Sequence, residues 1–212
     1  MDLYSYFNSS TSYRVRIALA LKGVDFSFHG VDIRIKEHHH PDYIKKNPGA
    51  GVPLLVDEGF ALGQSMAIID YLDQKYPEPR LIPEALHDRA RVLEMANLIA
   101  SDMHPINNLR VLRYLVGEMG LSDDKKNQWY AHWIEQGFTA LEKMLERVQS
   151  GSYCYGNQVS LADVCLVPQY TNAARMKCDL SPYPRIKAVY DHCVALPAFQ
   201  KAAPANQPDY SP

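Results

Sequence analysis

The order of the predicted elements constrains the fold of this chain more than any other feature of its sequence. Within residues 1–80, short apolar strands and helices follow the order βαβ, a polar stretch over residues 34–48, and then ββα. Beyond residue 86, apolar residues recur at spacings of three and four, which indicates helices. Residues 76–86 are rich in proline and have the composition of a linker. The sequence therefore predicts an α/β domain over residues 1–80 and an all-helical domain over residues 87–212.

Charge and cysteine usage exclude several classes of function. Lys and Arg total 22 against 24 Asp and Glu, without the basic excess of a nucleic-acid-binding protein. No apolar run approaches the ~18 residues that a membrane span needs, and the first residues do not resemble a secretory signal. The four cysteines form no C-x-x-C pair: Cys154, Cys165, Cys178 and Cys193. We expect a cytoplasmic protein with no metal site and with neither a nucleic-acid nor a membrane partner.

A cluster of hydroxyl side chains stands between the first predicted strand and the first predicted helix. It reads Ser9-Ser10-Thr11-Ser12-Tyr13-Arg14. Backbone N–H groups and the helix dipole favour an anion at such a point, and they lower the pKa of a thiol placed there. Because the cluster contains no cysteine, the thiol would have to belong to a ligand. The alternative is an ordinary serine cap that only starts the helix.

Two further pairs of residues have a functional and a plain structural interpretation. Val52-Pro53 opens a predicted strand, and a cis peptide bond there would expose the backbone of Val52 to a peptide-like ligand. The alternative is a trans proline at an edge strand. Gln64-Ser65 precedes a helix, so an amide, a hydroxyl and helix N–H groups could bind a carboxylate together. The alternative is again a simple cap.

Taken together and in this order, these motifs resemble those of the cytosolic glutathione transferases of the zeta class. The resemblance covers essentially the whole chain. Its motifs are Ser9-Ser10-Thr11, Arg14-Val15-Arg16-Ile17-Ala18-Leu19, Asn47-Pro48, Val52-Pro53, Gln64-Ser65-Met66, Asp163, Asp179–Pro184 and Gln207-Pro208-Asp209. It implies a thioredoxin-like N-terminal domain, an all-helical C-terminal domain, a homodimer and glutathione as cofactor. It also implies cis–trans isomerisation of a maleyl dicarboxylate, maleylacetoacetate or maleylpyruvate, in the breakdown of aromatic compounds such as tyrosine.

The resemblance also assigns roles to individual residues. Catalysis at the glutathione sulfur would fall to Ser9, Ser10 and Thr11. The implied glutathione contacts are Ser9, Ser10, Thr11, Ser12, Tyr13, Arg14, His38, Val52, Gln64, Ser65, His104, Asn108, Leu109 and Arg110. The substrate carboxylates would be held by Arg110, Arg175, His104 and Asn108. Thr11 stands where the family has cysteine, and Asn8 and Leu109 stand where many members have arginine.

Two other functions remain open from the sequence. A glutathione transferase that conjugates or dehalogenates small electrophiles would use the same thiolate and would consume glutathione, whereas an isomerase leaves its total unchanged. A non-catalytic glutathione-binding interaction module could share the fold, although the hydroxyl cluster argues against a pure scaffold.

Overall fold

A computed structural model describes residues 1–211, which divide into two compact units. The first unit combines residues 1–81 with residues 195–211, and the second comprises residues 82–194. Among residues 1–211, no helix has both the length and the apolar character required to cross a membrane.

The first unit contains a four-stranded sheet with helices connecting its strands. Its elements before residue 81 are β1 (Asp2–Ser5), α1 (Ser10–Leu21), β2 (Ser27–Gly30), α2 (Pro41–Lys46), β3 (Leu54–Asp57), β4 (Phe60–Gly63) and α3 (Ser65–Lys75). The strand order is β2-β1-β3-β4, with β1 parallel to β2 and antiparallel to β3. The predicted βαβ and ββα order is confirmed, and the unit has the thioredoxin-like fold.

Apolar residues explain why these segments pair and pack. Leu3 pairs with Phe28 on one side and with Leu55 on the other, and its side chain is fully buried in the core. The hairpin between β3 and β4 turns at Glu58 and Gly59, whose φ angles are 52° and 85°. Two consecutive positive φ angles are typical of the tight turns that match the twist of paired strands.

The buried side chain of Lys22, at the end of α1, binds the proline-rich stretch that begins at residue 76. The Lys22 ammonium donates to Asp73 Oδ1 at 2.8 Å and to the carbonyls of Tyr76 and Pro79 at 2.6 and 2.9 Å. The Lys22 and Asp73 side chains are both fully buried, and Asp73 also accepts a hydrogen bond from the N–H of Leu81. The ion pair therefore connects the end of α1, the end of α3 and the start of the linker.

The second unit is entirely helical, as predicted. Its elements are α4 (Leu86–Asn97), a π-helical segment (Leu98–Met103), α5 (His104–Ile106), α6 (Leu109–Gly117), α7 (Asp123–Arg147), α8 (Leu161–Arg175) and α9 (Pro184–Val194). The helical path is interrupted around Pro105, since the π-helical segment precedes α5 and α5 ends one residue after this proline. Pro168 lies inside α8.

The C-terminal residues correct the predicted domain boundary. We expected the helical domain to extend to residue 212, but residues 195–211 belong to the first unit. Helix α10 (Pro197–Ala202) packs against α1, and Phe199 is fully buried there. The Tyr13 hydroxyl donates to the Phe199 carbonyl at 3.4 Å, and Arg16 Nε donates to the Ala202 carbonyl at 3.0 Å. These contacts join segments 186 residues apart, so no local pattern could indicate them.

Candidate active site

Helix α1 begins at a serine cap and has no acidic residue in its first turn. Ser9 has extended φ and ψ angles of −86° and 119°, and its hydroxyl accepts from the N–H of Ser12 at 3.3 Å. The helix N-terminus therefore presents the positive end of its dipole without a carboxylate of its own in the first turn. Such a point is suited to an anionic group of a ligand.

The hydroxyls of Ser9 and Thr11 form a hydrogen-bonded chain whose direction can be determined. Thr11 Oγ1 lies 2.9 Å from the Val52 carbonyl oxygen and 2.9 Å from Ser9 Oγ. A carbonyl only accepts, so the single Thr11 proton points to Val52. Ser9 is therefore the donor to Thr11. Thr11 thus connects the start of α1 to the residue that precedes Pro53.

The three sequence motifs meet at one small cavity of the first unit. The Val52-Pro53 peptide bond is cis. The cavity has a volume of about 50 Å³ and is lined by Thr11, Asn47, Gly49, Gly51, Val52, Pro53, Gln64 and Ser65. The structure therefore brings together Thr11, Val52, Gln64 and Ser65, which the sequence placed in three separate motifs.

Gln64 has an unusual backbone conformation at this cavity. Its φ and ψ angles are 68° and 112°, a region that non-glycine residues seldom adopt. Its carbonyl accepts from the N–H of Ile68 and so starts α3. The Ser65 hydroxyl oxygen accepts a hydrogen bond from Arg14 of α1, whose Nη1 lies 3.4 Å away. Strained backbone of this kind persists where the surroundings fix it, and it is frequent at binding sites.

Asn47, Gly49 and Gly51 line one side of the cavity, although they belong to none of the expected glutathione contacts. Asn47 Nδ2 donates to the Gly51 carbonyl at 2.8 Å, and the Tyr43 hydroxyl donates to the same carbonyl at 2.6 Å. Burial raises the pKa of Tyr43 to about 12, so it remains a neutral donor. A Cβ on Gly63 would lie 3.1 Å from Asn47 Oδ1, so glycine leaves room for this amide. The Asn-Pro-Gly turn at residues 47–49 was the signal available in the sequence.

Six of the expected glutathione contacts in the first unit do not line this cavity: Ser9, Ser10, Ser12, Tyr13, Arg14 and His38. The Ser12 side chain is fully buried, and its hydroxyl has no hydrogen-bond partner among residues 1–211. Tyr13 is 4% exposed, and its hydroxyl is directed to α10, as described above. His38 lies on the 3₁₀ turn Glu37–His39, with its ring 4.2 Å from that of His39.

The expected residues of the second unit lie mostly at one helix junction. Asn108 caps α6 by accepting from the N–H of Arg110 at 3.1 Å, and its Nδ2 lies 3.4 Å from His104 Nε2. Leu109 follows and is 39% exposed. Arg175 lies in the last turn of α8, where its Nη2 donates to Asn172 Oδ1 at 3.1 Å. His104, Asn108, Leu109 and Arg110 are thus adjacent, while Arg175 belongs to another helix.

Comparison with known proteins identifies the family that this fold and site define. Residues 1–74 match the family model of the glutathione S-transferase N-terminal domain, and residues 111–201 match that of the C-terminal domain. The chain belongs to the glutathione S-transferase family.

Its relatives narrow the position within that family. The chain is 49% identical to the probable maleylacetoacetate isomerase of Vibrio cholerae, over 98% of this chain and 97% of that protein. A zeta-class maleylpyruvate isomerase of known structure is 42% identical and matches with a TM-score of 0.97 over all of both chains. The maleylacetoacetate isomerase of Anaeromyxobacter dehalogenans, solved with dicarboxyethyl glutathione and citrate, is 37% identical with a TM-score of 0.87, over 100% of this chain and 97% of that one. The resemblance to the zeta class is thereby confirmed.

Proposed function

We propose that the protein is a glutathione-dependent cis–trans isomerase of maleyl dicarboxylates. The observation that carries the proposal is that Thr11 of the α1 hydroxyl cluster, Val52-Pro53 and Gln64-Ser65 line one cavity. The similarity to isomerases of maleylacetoacetate and maleylpyruvate over nearly the whole chain supports the same conclusion.

The residues at this cavity fit glutathione, a peptide thiol with carboxylates. The start of α1 offers N–H groups without an acidic residue in its first turn, which suits an ionised sulfur. Val52 offers backbone groups for a peptide, and Gln64 and Ser65 offer an amide and a hydroxyl for the γ-glutamyl end. When bound, glutathione supplies a thiolate whose reversible addition to the maleyl double bond permits rotation about it.

The residues of this chain have two tasks in such a reaction. Ser10 and the N–H groups of the first turn stabilise negative charge on sulfur, and this lowers the pKa of the thiol. Ser9 and Thr11 donate their hydroxyl protons to Thr11 and to the Val52 carbonyl, so they act by fixing the start of α1 beside the cavity. Arg110 and Arg175 bind the two substrate carboxylates, since a guanidinium can hold a carboxylate through two hydrogen bonds. His104 and Asn108 add hydrogen bonds to the same substrate.

A dicarboxylate substrate is supported by the ligands of a solved relative. The Anaeromyxobacter enzyme was crystallised with dicarboxyethyl glutathione and citrate, both of which carry several carboxylates. We therefore propose that the substrate contains a four-carbon maleyl unit, with a carboxylate at one end and an acyl extension at the other.

An absorbance assay with purified protein tests this function. We expect glutathione-dependent loss of maleylacetoacetate or maleylpyruvate with total glutathione unchanged. Stoichiometric consumption of glutathione with an aryl or alkyl halide, and no isomerisation of either acid, would identify a conjugating transferase. Glutathione binding without turnover of any of these compounds would identify the non-catalytic module and overturn the proposal.

We also propose that the protein is a cytoplasmic homodimer. The zeta-class resemblance implies the dimer, and the 53% exposed ring of Phe60 offers apolar surface for a partner chain. All four cysteines are unpaired, which suits a reducing compartment. Light scattering during gel filtration should give twice the chain mass of 24.0 kDa, whereas a single chain mass would contradict the dimer.

A further inference from the structure

We propose that Asp209, near the C-terminus, is a positioning residue for the loop that carries Ser9 and Ser10. The inference rests on the proposed function, because it concerns the same thiolate site. We refer to Gln207, Asp209 and Tyr210 as the C-terminal clamp. Its hydrogen bonds and ring contact to Phe7, Lys201 and Ala203 lie within the first unit.

The Gln207 side chain turns the end of the chain back toward the sheet. Its Nε2 donates to the carbonyls of Lys201 and Ala203, at 3.0 and 2.9 Å, where α10 ends. The backbone carbonyl of Gln207 accepts a hydrogen bond from the backbone N–H of Tyr210 at 3.0 Å. These bonds close a turn around residue 208 and fix the direction in which Asp209 points.

Asp209 then reaches the loop that leads into α1. Its Oδ2 accepts from the backbone N–H of Phe7 at 2.9 Å, across 202 residues of sequence. The Tyr210 ring meets the Phe7 ring edge to face, with centroids 5.4 Å apart. A Cβ on Gly30, at the end of β2, would lie 3.3 Å from Asp209 Cβ, so the clamp also lies close against the sheet.

The same loop is held from its other side by Arg16 of α1. Arg16 Nη2 donates to the Phe7 carbonyl at 2.9 Å, and Nη1 donates to the Tyr6 carbonyl at 3.3 Å. The Tyr6 carbonyl also accepts from the N–H of Ser9 at 3.0 Å. The two peptide groups before Asn8 are thus fixed by Asp209 and Arg16 together, and Ser9, the cap of α1, follows directly.

The charges of the clamp support this arrangement. Burial lowers the pKa of Arg16 to about 10, and the nearby Asp209 acts in the opposite direction. Asp209 Oδ1 is buried and has no hydrogen-bond partner among residues 1–211, so attraction to the buried guanidinium compensates for its lost hydration. Phe7 is itself buried, so its N–H would have no acceptor if Asp209 were removed.

Small displacements of catalytic groups have large effects on rate. A shift of about 1 Å in a catalytic group can reduce turnover by roughly 100-fold. Loss of the Phe7 bond allows the loop and the Ser9 cap to shift relative to the sulfur, while the remaining glutathione contacts at Val52, Gln64 and Ser65 stay in place. The expected defect is therefore in turnover and in thiol ionisation more than in glutathione affinity.

Substitution of Asp209 in the full-length protein tests the proposal. We expect D209A to reduce kcat about tenfold, with the KM for glutathione changed by less than about threefold. Ultraviolet titration of bound glutathione should show the thiolate fraction at pH 7 falling about threefold. D209N retains an oxygen acceptor for Phe7 and should restore both values to within about twofold of wild type.

The matched control removes an acidic side chain elsewhere. Asp191 is an exposed residue of α9 that pairs with Lys187, and D191A should leave kcat and the thiolate fraction unchanged. A lower melting temperature in D209A with unchanged kcat and unchanged thiolate fraction would overturn the proposal, because the clamp would then be structural only. Equal impairment of D209A and D209N would also overturn it. If D209A does not fold, D209S, whose shorter side chain cannot span the same gap, takes its place in the comparison with D209N.

The proposed function can fail separately from this inference. Absence of isomerisation by wild type, with a thiolate fraction that still falls in D209A, overturns the isomerase and leaves Asp209 as a positioning residue for a thiolate site. Absence of any glutathione binding by wild type overturns both.

Discussion

Helices α1 and α8 both begin at a serine cap, but they use the cap in different ways. At α8, the third residue after the cap is Asp163, whose Oδ2 accepts from the N–H and from the hydroxyl of Ser160, both at 2.8 Å. At α1, the third residue after the cap is Ser12, and the first turn contains no acidic residue. The protein's own carboxylate therefore occupies the anion position of α8, whereas that of α1 remains available to a ligand.

The starts of α1 and α8 also differ in how deeply they are buried. Asp163 is fully buried, and its Oδ1 also accepts from the N–H of Cys154 at 2.7 Å. Burial raises the pKa of Asp163, and its hydrogen bonds oppose that shift. Ser9 and Thr11 are only partly buried, and Thr11 lines the cavity. The residue three positions after a serine cap therefore helps to decide whether a helix N-terminus is filled by the protein's own carboxylate or is open to a ligand.

Removal of Asp163 should give the largest effect of the substitutions that probe this comparison. D163A leaves two backbone N–H groups and one hydroxyl without their acceptor in the core, so we expect the free energy of unfolding to fall by about 3 kcal/mol or more. Urea unfolding followed by circular dichroism measures it. A loss below about 1 kcal/mol would show that α8 does not depend on its internal carboxylate.

Replacement of Ser10 should lower the turnover rate and leave the free energy of unfolding nearly unchanged. A donor to developing charge typically contributes about 100-fold to turnover, so we expect S10A to lower kcat by roughly that factor. The KM for glutathione should change by less than about threefold, because the bond strengthens with charge on sulfur.

The control for Ser10 is a serine at another helix start. Ser122 caps α7 by accepting from the N–H of Lys125 at 3.3 Å, and S122A should leave kcat unchanged. Equal losses of turnover and glutathione affinity in S10A would contradict the role that we assign to Ser10.

Replacement of Thr11 should have a smaller effect, on binding. T11V removes the bond to the Val52 carbonyl and the acceptor for Ser9, so we expect the KM for glutathione to rise about five- to tenfold. Thr171 offers a matched control, since its hydroxyl donates to the Val167 carbonyl at 2.9 Å inside α8. Initial-rate measurements on T11V and T171V give the KM for glutathione of each variant. An equal KM in the two variants would show that the Ser9–Thr11–Val52 hydrogen bonds do not contribute to glutathione binding.

Replacement of Ser12 should have the smallest effect, although it occupies the position of Asp163. Its hydroxyl is buried without a hydrogen-bond partner among residues 1–211, so S12A should change the free energy of unfolding by less than about 0.5 kcal/mol. The KM for glutathione should also stay the same. A large loss in either measurement would mean that the third position of α1 is as important as that of α8.

Local features of both units could be predicted from the sequence. The serine cap of α1, the hairpin at Asp57-Glu58-Gly59 and the cap of α8 with Asp163 each depend on neighbouring residues, and the structure contains all three. The Ser160–Asp163 pair is recognisable because its two hydrogen bonds join residues three positions apart.

Other features depend on contacts between distant residues and could not be predicted from local patterns. The isomer of Val52-Pro53 stayed open, because a tertiary amide permits both forms and the sequence alone does not choose between them. Tyr13 was expected at the ligand, but its hydroxyl bonds to the Phe199 carbonyl of α10. The C-terminal residues were assigned to the helical domain because their spacing is helical, while the bond between Asp209 and Phe7 places them on the first unit.

The thiol pKa of bound glutathione tests the central claim most directly. Ultraviolet absorbance of the thiolate, followed against pH in the saturated wild-type complex, reports the ionisation of the sulfur. If the open N-terminus of α1 stabilises the anion, the thiol should ionise near neutral pH, well below the value of about 8.5 of an unperturbed cysteine. A thiol that stays protonated to pH 8.5 and above would contradict the claim that α1 prepares the nucleophile.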